Sequence, residues 1–403
     1  MAVPRPIPIP IVPADPSLNS SKSFNGSDLR PLKIGTRRSP LALRQVDLLL
    51  GQLRAVFPQQ PFTVQALSVA GDRDKTTPLP ALGKSLWTVE LDNELLTGGL
   101  DLVVHCVKDM PTALPAGLAL GAVTAREDPR DVVVFRAAHA ARYRTLADLP
   151  PGAVVGTSSV RRAAQLRRHY PALVFRDVRG NIDTRLRKVD GTWVGPDMAG
   201  AGAGPQPPEP QPEYDCIILA AAGLLRMGLG GRIAQYLDAE TPGGGTLHAV
   251  GQGALGIEVR AGDARVEALL AALADGPTML ACWAERSLMR TLEGGCSVPI
   301  GVETAWLGAG PEEPGKHSDK QQQKKLLLRL RATVVSVDGR EGVDAEETRE
   351  IGSLDEAEDF GRHLAQILVG KGAQTILDAI NQDRPASAGA VKLALDQDVL
   401  QLA

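Results

Sequence analysis

Short apolar runs alternate with amphipathic segments along most of the 403-residue chain. Apolar runs bounded by turn residues predict strands, which lie at 32–35, 62–68, 101–106, 131–135, 153–155, 173–175, within 214–220, at 255–259 and within 326–339. Apolar residues spaced three or four apart predict helices, which lie at 41–57, 87–96, between Ser158 and Pro171, across 185–188, at 278–292 and at 354–381. This alternation is typical of layered α/β folds.

Residues 153–190 carry a dense positive charge, with nine Lys and Arg residues against three Asp. A short strand turns here into a helix, for which Thr157 and Ser158 are suitable N-caps. Free N–H groups at a helix start favour anions, and Arg161 and Arg162 add two planar forks for carboxylate or phosphate. The pattern predicts a pocket for a ligand with several negative charges, and a solvated basic helix face stays open as the alternative.

A second strand–turn–helix repeats this arrangement near the start of the chain. Thr36, Arg37 and Ser39 lie where the strand at 32–35 passes into the helix at 41–57, and they again offer donors to an anion. Four apolar residues of this helix are predicted to face the core: Leu43, Val46, Leu49 and Leu53. Two such turns, each with Arg and Ser, strengthen the prediction of an anion site.

Three further side chains are candidates for chemistry. Lys108 and Asp109 follow a fully apolar strand. They form either a surface ion pair or a carboxylate held ionised by cations, which can stabilise a positive charge or carry protons. Cys296 lies in the glycine-rich segment EGGCSVPIG, where a thiol is more accessible than in a core. The GxGxxG match at 251–256 does not predict a dinucleotide site, because a strand rather than a helix is predicted after it.

Composition narrows the class of protein. The hydrophobic fraction is 43% and the formal net charge is −3, so the chain as a whole does not favour nucleic acid or a membrane surface as partner. The four cysteines form no CxxC pair, which predicts reduced thiols and a cytoplasmic protein. The Pro- and Ser-rich segment at 1–30 predicts a disordered tail without a secretion signal, and the Gly/Pro-rich segment at 191–213 and the polar loop at 307–325 predict inserts.

Seven segments occur in the order seen in hydroxymethylbilane synthase, also called porphobilinogen deaminase: TRRSPLALRQ, HCVKDMP, VGTSSVRRAAQL, RGNIDTRL, AAGLLRMG, AVGQGALGIE and EGGCSVPIG. The chain resembles this family from about Lys33 to Gly301, and more loosely to Gln382. The resemblance implies an α/β protein of three domains, the first two like a type II periplasmic binding protein and the third a small α+β domain. The domains are predicted at 31–126 plus 251–274, at 127–250, and at 275–403.

The resemblance also implies an activity. Such an enzyme deaminates four porphobilinogen units, joins them head to tail on a covalent dipyrromethane cofactor, and hydrolyses the linear tetrapyrrole off. Each pyrrole brings two carboxylates, for which bidentate arginine is the best buried partner. Loss of ammonia leaves a cationic centre, which an ionised carboxylate stabilises. Neither a metal nor a nucleotide is predicted, and we expect a monomer.

Residue roles are implied by position within the motifs. Cys296 corresponds to the cysteine that holds the cofactor through a thioether, Asp109 to the catalytic aspartate, which also contacts the cofactor, and Lys108 to the adjacent cofactor-binding lysine. Further cofactor contacts are implied for Ser39, Cys106, Thr157, Ser159, Arg161, Arg162, Arg179, Gly180 and Gly253. Substrate contacts are implied for Arg37, Ser39, Gln45, Trp87, Arg179, Arg185 and Arg226.

Two positions depart from the family pattern. Cys106 stands where serine is usual, and a thiol is a weaker hydrogen-bond donor than a hydroxyl. Trp87 stands where phenylalanine is usual and can still stack on a pyrrole ring. Two other classes of protein stay open at this point: a non-enzymatic carboxylate-binding protein, which would need neither Asp109 nor Cys296, and a phosphate or nucleotide enzyme, for which a P-loop is missing.

Overall fold

The computed structural model describes residues 30–69, 71, 87–193, 213–292, 298–307 and 326–382. Its strands are β1 Leu32–Arg37, β2 Phe62–Leu67, β3 Leu102–Cys106, β4 Leu118–Val123, β5 Asp131–Phe135, β6 Val154–Gly156, β7 Val174–Arg176, β8 Cys216–Ala220, β9 Gln235–Leu237, β10 Leu255–Arg260, β11 Ile300–Leu307, β12 Leu326–Val335 and β13 Gly342–Ile351. Its helices are α1 Pro40–Val56, α2 Val89–Leu96, α3 Val160–His169, α4 Ile182–Asp190, α5 Ala221–Arg226, α6 Ala264–Leu270, α7 Gly276–Thr291, α8 Leu354–Gly370 and α9 Ala373–Gln382.

Two five-stranded sheets share one topology. The first has the strand order β2-β1-β3-β10-β4, and the second has the order β7-β6-β8-β5-β9. In each sheet the first three strands are parallel and the fourth, β10 or β5, runs antiparallel to both of its neighbours. The chain therefore crosses from the first sheet to the second after β4 and returns through β10. This pair of matching α/β units confirms the predicted architecture for the first two domains.

The third sheet is antiparallel and lies in the last part of the chain, in the order β11-β12-β13. Its buried face packs with α7 and α8 around Phe360, Leu364 and Val334. The β13 sequence is mostly polar because alternate positions face solvent, so an apolar run did not reveal it. The predicted domain boundaries themselves stay a prediction.

Helix α1 corrects one detail of the sequence prediction. Val46, Leu49 and Leu53 are buried against the first sheet as expected, but Leu43 is 36% exposed. The polar Gln45 is buried in its place. A pattern of apolar positions could not distinguish the two, because a buried polar residue interrupts the apolar face.

Two helix ends also differ from the prediction. Ser159 is the N-cap of α3, with its hydroxyl accepting a hydrogen bond from Arg162 N at 3.4 Å, so neither Thr157 nor Ser158 caps the helix. The single helix predicted at 354–381 is two helices, because the helical conformation is interrupted between Gly370 and Ala373. Gly372 has φ +102° there, a conformation that ends a helix and suits glycine.

Several predicted features lie outside the described residues. These are the tail up to residue 29, most of the segment at 191–213, the loop at 308–325 and Cys296. Within the ranges that the structure describes, no helix is both long and apolar enough to cross a bilayer.

Candidate active site

The predicted catalytic pair follows directly after the C-terminal end of β3, an inner strand of the first sheet. After Cys106 the chain makes one 3₁₀ turn, Val107–Asp109, which leaves Lys108 and Asp109 half-buried. The buried Gln45 of α1 donates from Nε2 to Cys106 Sγ at 3.1 Å. Burial raises the pKa of the Cys106 thiol, and Asp109 adds to the effect, so this thiol stays neutral and a poor nucleophile.

A polar bridge connects this turn to the second sheet. Lys108 Nζ donates to Gln252 Oε1 at 3.4 Å, and Gln252 Nε2 donates to Asp131 Oδ1 at 2.8 Å. Asp131 is the first residue of β5, and Gln252 lies in the segment that returns the chain to β10. The turn Val107–Asp109 is thus connected by hydrogen bonds to both segments that join the two sheets.

Asp131 also pairs with both arginines of the α3 start. Arg161 Nη1 donates to Oδ2 at 2.7 Å, and Arg162 donates to Oδ1 from Nε at 2.9 Å and from Nη2 at 2.7 Å. Thr246 adds a hydroxyl at 3.0 Å. Burial by itself would raise the pKa of Asp131, but the two guanidinium groups outweigh it and hold that pKa well below its usual range. These arginines are therefore buried with a counter-ion of the chain's own.

Sequence reasoning missed Asp131 and Gln252. Two signals were available: an acid opening the apolar strand DVVVF, and a glutamine within the glycine-rich segment AVGQGALG. Neither reveals a partner, because Asp131 and Arg161 come together only when β5 lies beside the start of α3.

Other arginines of the second domain lie near one another, and Arg185 is close enough to interact with the charge of Asp109. Arg185 Nε donates to Gly180 O at 2.8 Å, and Lys188 Nζ donates to Arg179 O at 3.2 Å. Burial, and then the positive charges of Arg162 and Arg179, lower the pKa of Arg185 to about 10, while the charge of Asp109 opposes them. A guanidinium with a depressed pKa signals crowded positive charge, which a polyanionic ligand would relieve.

Arg226, at the end of α5, reaches the return segment. Its Nη2 donates to Gly253 O at 2.6 Å. Gly253 has φ +90°, and a Cβ there would lie 2.3 Å from Glu127 O. Only glycine therefore fits at this position, which lets the backbone carbonyl face Arg226.

The turn after β1 holds the remaining predicted contacts. Ser39 caps α1, with its hydroxyl accepting from Ala42 N at 3.3 Å. Arg37 Cζ lies 4.0 Å from the centroid of the Trp87 ring, a cation–π distance. On α3's side, Thr157 is buried, and its hydroxyl accepts from Ser159 N at 3.2 Å. The Trp87 ring is thus in contact with a guanidinium, and its stacking on a pyrrole ring stays a prediction.

Taken together, these groups define a class of protein: a two-lobed α/β enzyme with one half-buried carboxylate–lysine pair among crowded arginines, suited to a substrate with several carboxylates. Gln45, Cys106, Lys108 and Asp109 come from the first lobe. The arginines come from the second lobe: Arg161, Arg162, Arg179, Arg185 and Arg226.

Comparison with known proteins gives the family. Residues 32–268 match the model "Porphobilinogen deaminase, dipyromethane cofactor binding domain", and residues 279–370 match "Porphobilinogen deaminase, C-terminal domain". The porphobilinogen deaminase of Neurospora crassa is 53% identical over 89% of this chain and 96% of that protein. The Saccharomyces cerevisiae enzyme is 44% identical over 88% of this chain and 98% of its own length. The chain therefore belongs to the porphobilinogen deaminase family.

Two solved structures of other proteins resemble the chain only remotely. The periplasmic VFT2 domain of Bordetella pertussis BvgS shares 11% identity at a TM-score of 0.33, over 63% of this chain and 92% of that one. The effector domain of Pseudomonas aeruginosa AmpR shares 12% identity at a TM-score of 0.32, over 60% and 91% of the two chains. Scores this low carry no argument about function.

Family membership establishes the activity. The protein is a transferase of tetrapyrrole biosynthesis that uses a dipyrromethane cofactor. It deaminates four porphobilinogen units, joins them head to tail and releases hydroxymethylbilane. This decides against the two other classes considered above. The excess of buried guanidinium groups over carboxylates around Asp109 also fits a cofactor and substrates that carry several carboxylates.

Proposed function

We propose that Asp109 is the catalytic carboxylate of this enzyme. Loss of ammonia leaves positive charge on the substrate's aminomethyl carbon, and a fixed carboxylate stabilises such charge best in a partly dry site. Asp109 is half-buried beside Lys108, and its negative charge interacts with the guanidinium group of Arg185. The supporting observation is the placement of one carboxylate among these cations, where it can also hold protons from the pyrrole nitrogens.

We further propose that Cys296 anchors the cofactor. Burial raises the pKa of the described thiols, Cys106, Cys216 and Cys282, which makes each a poor nucleophile. Chemistry therefore favours the fourth cysteine, in the segment between α7 and β11. When bound, dipyrromethane supplies the pyrrole carbon to which the first substrate unit is joined.

The remaining site residues would hold carboxylates and pyrrole nitrogens. The cofactor side is assigned to Lys108, Asp109, Ser39, Cys106, Thr157, Ser159, Arg161, Arg162, Arg179, Gly180 and Gly253. The substrate side is assigned to Arg37, Ser39, Gln45, Trp87, Arg179, Arg185 and Arg226. Planar guanidinium forks match the geometry of carboxylates, which lysine does not. Arg161 and Arg162 already share Asp131 as a counter-ion. Their mutual repulsion is therefore partly compensated before they bind a ligand carboxylate.

The first test is the mass of the denatured chain. Wild-type protein should be heavier than its sequence by a two-pyrrole adduct, and Cys296→Ser should have the sequence mass. Cys282→Ser is the matched control, because that thiol is fully buried, and it should keep the adduct. An adduct that survives in Cys296→Ser would assign the anchor to another residue.

A second test addresses Asp109. Asp109→Asn should fold, keep the adduct and lose turnover by about 10³-fold or more, because an amide supplies no charge to a cationic centre. Single-turnover formation of hydroxymethylbilane measures the loss. Turnover within a factor of ten of wild type would remove Asp109 from the mechanism.

We also propose that the enzyme is a cytoplasmic monomer. The described cysteines Cys106, Cys216 and Cys282 are all free, which suits a reducing compartment. Sedimentation at micromolar concentration tests the monomer, and fractionation of the source cell tests the compartment. A stable dimer or a purely organellar fraction would correct the respective part.

A further inference from the structure

Three buried ionisable side chains meet behind the catalytic strand. They are Asp92 of α2, His105 of β3 and Glu258 of β10, all at least 95% buried. Consecutive strand residues point to opposite faces, so His105 faces away from the side on which Cys106 contacts Gln45. The cluster is therefore separate from the site described above, although His105 is only four residues before Asp109.

The cluster has fewer hydrogen-bond donors than its two carboxylates can accept from. His105 Nε2 lies 3.0 Å from Glu258 Oε2, and oxygen or nitrogen atoms of the three side chains lie within 4.8 Å of one another. Among the described residues, Asp92 Oδ1 and both Glu258 oxygens have no hydrogen-bond partner, nor does His105 Nε2 have one of good geometry. Two buried carboxylates that face each other without donors are costly.

The surrounding elements supply little compensation. The Thr88 hydroxyl, at the start of α2, bonds Asp92. The charge of Arg286 of α7 interacts with that of Glu258, but the Arg286 Nη2 donates to the carbonyl oxygens of Pro111 and Thr112. A proton is the smallest species that turns one carboxylate into a donor for the other.

We propose that Asp92, beside Glu258 and His105, keeps a proton that it shares with the Glu258 carboxylate in mildly acidic solution, and that Asp92 loses this proton as the pH rises. The shared proton fastens α2, β3 and β10 to one another directly behind the turn that carries Lys108 and Asp109. Its loss leaves two buried negative charges and loosens this attachment. Asp92, Glu258 and His105 thus act as positioning residues for the end of β3.

Electrostatics gives the direction of the effect. Burial, and then the charge of Glu258, raises the pKa of Asp92 to about 6 from its usual 3.8, while Thr88 and His105 oppose the rise. A carboxyl whose pKa is raised by folding stabilises the fold fully below its unfolded pKa, and this contribution disappears as the pH rises through the folded pKa. A rise of about two units changes the unfolding equilibrium about 100-fold.

Asp92→Asn in the holoenzyme tests the proposal. The amide has nearly the same shape and donates to Glu258 at every pH, as the protonated acid does only in acid. The Tm of the variant minus that of the wild type should be near zero at pH 4.5 and should grow to about +5 °C at pH 8. A difference that is constant with pH, or negative at pH 8, would overturn the proposal.

Asp101→Asn is the matched control in the same lobe. Asp101 is just as buried, but it accepts from Arg30 Nη2 and from Lys33 N, each at 2.9 Å. Removing its charge should lower Tm at every pH of the series. An increase at pH 8 for both variants would mean that any buried acid behaves alike, which would also overturn the assignment to this cluster.

Two further measurements guard against misfolding and against a metal. If Asp92→Asn does not fold, Glu258→Gln repeats the series, and the infrared carbonyl band of a buried protonated carboxyl in wild type should vanish between pH 5 and pH 8. Its absence throughout overturns the proposal. The same three ligand types also suit Zn²⁺, so the metal content of both proteins is measured. One equivalent of metal in the wild type that is absent from the variant would overturn the proposal, because a metal ion would then occupy the place of the proton.

Hydrogen exchange reads out the positioning role. After correction for the intrinsic exchange rate, amides of residues 102–109 should lose protection between pH 5.5 and pH 7.5 in wild type but not in Asp92→Asn. A purely structural role of Asp92 would shift protection equally at both pH values. This readout is independent of activity, so it stands even if Asp109 proves not to be catalytic.

Discussion

Two buried acid clusters, one in each of the first two domains, respond to burial in opposite ways. Asp131 accepts hydrogen bonds from Arg161, Arg162, Thr246 and Gln252, and its pKa is held well below the usual range. Asp92 is about as deeply buried but faces a second carboxylate, and its pKa is raised to about 6. Depth of burial is common to both, so the neighbours decide which protonation state the fold favours.

The difference matches the positions of the two clusters. Asp131 lies where ligand carboxylates are proposed to bind, and its fixed charge lets two cations be buried before any ligand arrives. The cluster of Asp92, His105 and Glu258 lies on the rear of the first sheet, where no anion needs to enter. One acid prepares a charged site, and the other makes a strand attachment sensitive to pH.

Removal of the Asp131 side chain should have the largest effect on stability. Asp131→Ala leaves two buried guanidinium groups without a counter-ion, which costs about 3–5 kcal/mol of the free energy of unfolding. Urea unfolding of apo and holo protein measures it. The loss should be smaller in the holoenzyme, because cofactor carboxylates would replace the missing charge.

Asp128→Ala is the control for that change. Asp128 is three residues away and pairs with the partly exposed Arg130 at 2.7 Å, so its loss should cost no more than about 1 kcal/mol. Equal losses of unfolding free energy for Asp128→Ala and Asp131→Ala would contradict the view that burial makes the ion pairs of Asp131 more important for stability than the exposed Asp128–Arg130 pair.

The amide at position 131 tests the comparison by pH. Asp131→Asn should destabilise by about 2–3 kcal/mol, the worth of hydrogen bonds to charged groups. Because its folded pKa is depressed, Asp131 contributes stability above its unfolded pKa and loses it only as the pH falls through the folded value. The deficit of Asp131→Asn relative to wild type should therefore be constant from pH 8 to pH 5. A deficit that disappears by pH 5 would contradict it.

A third buried acid, Glu285, tests whether an arginine counter-ion stabilises a buried carboxylate elsewhere in the chain. Glu285 of α7 accepts from Arg126 Nη1 at 2.6 Å and Nη2 at 3.0 Å, and from Gly251 N at 2.7 Å. Burial opposes but does not prevent a lowered pKa, because Arg126 outweighs it. Glu285→Gln should cost about 2 kcal/mol by urea unfolding, and a stabilised variant would place Glu285 with Asp92 instead.

The smallest expected change is Cys106→Ser. The hydroxyl can keep the hydrogen bond from Gln45 and restores the residue usual in the family, so stability should change by less than about 1 kcal/mol. Turnover should stay within a few-fold of wild type, as measured by hydroxymethylbilane release. A loss above ten-fold would show that the thiol has a role that the hydroxyl cannot fill.

Sequence patterns predicted most of the strands and the long amphipathic helices, but they did not predict β4, β9 or β11. They missed β13, because its solvent-facing positions are polar, and they joined α8 and α9 across Gly372. For the candidate site, local motifs were enough to select Lys108, Asp109 and the arginines. They did not reveal that Arg161 and Arg162 share Asp131, since that ion pair joins residues about thirty positions apart.

The sequence alone determined the α/β class, the family and the residues that carry the family's motifs, because periodicity and motif spacing are local properties of the chain. Which buried charges have a counter-ion depends on how the elements pack in three dimensions. Asp92, His105 and Glu258 come from three elements spread over more than 160 residues, and Asp131 meets its arginines across the second domain. The protonation of such groups depends on distances and burial, which arise only when separate strands and helices pack together.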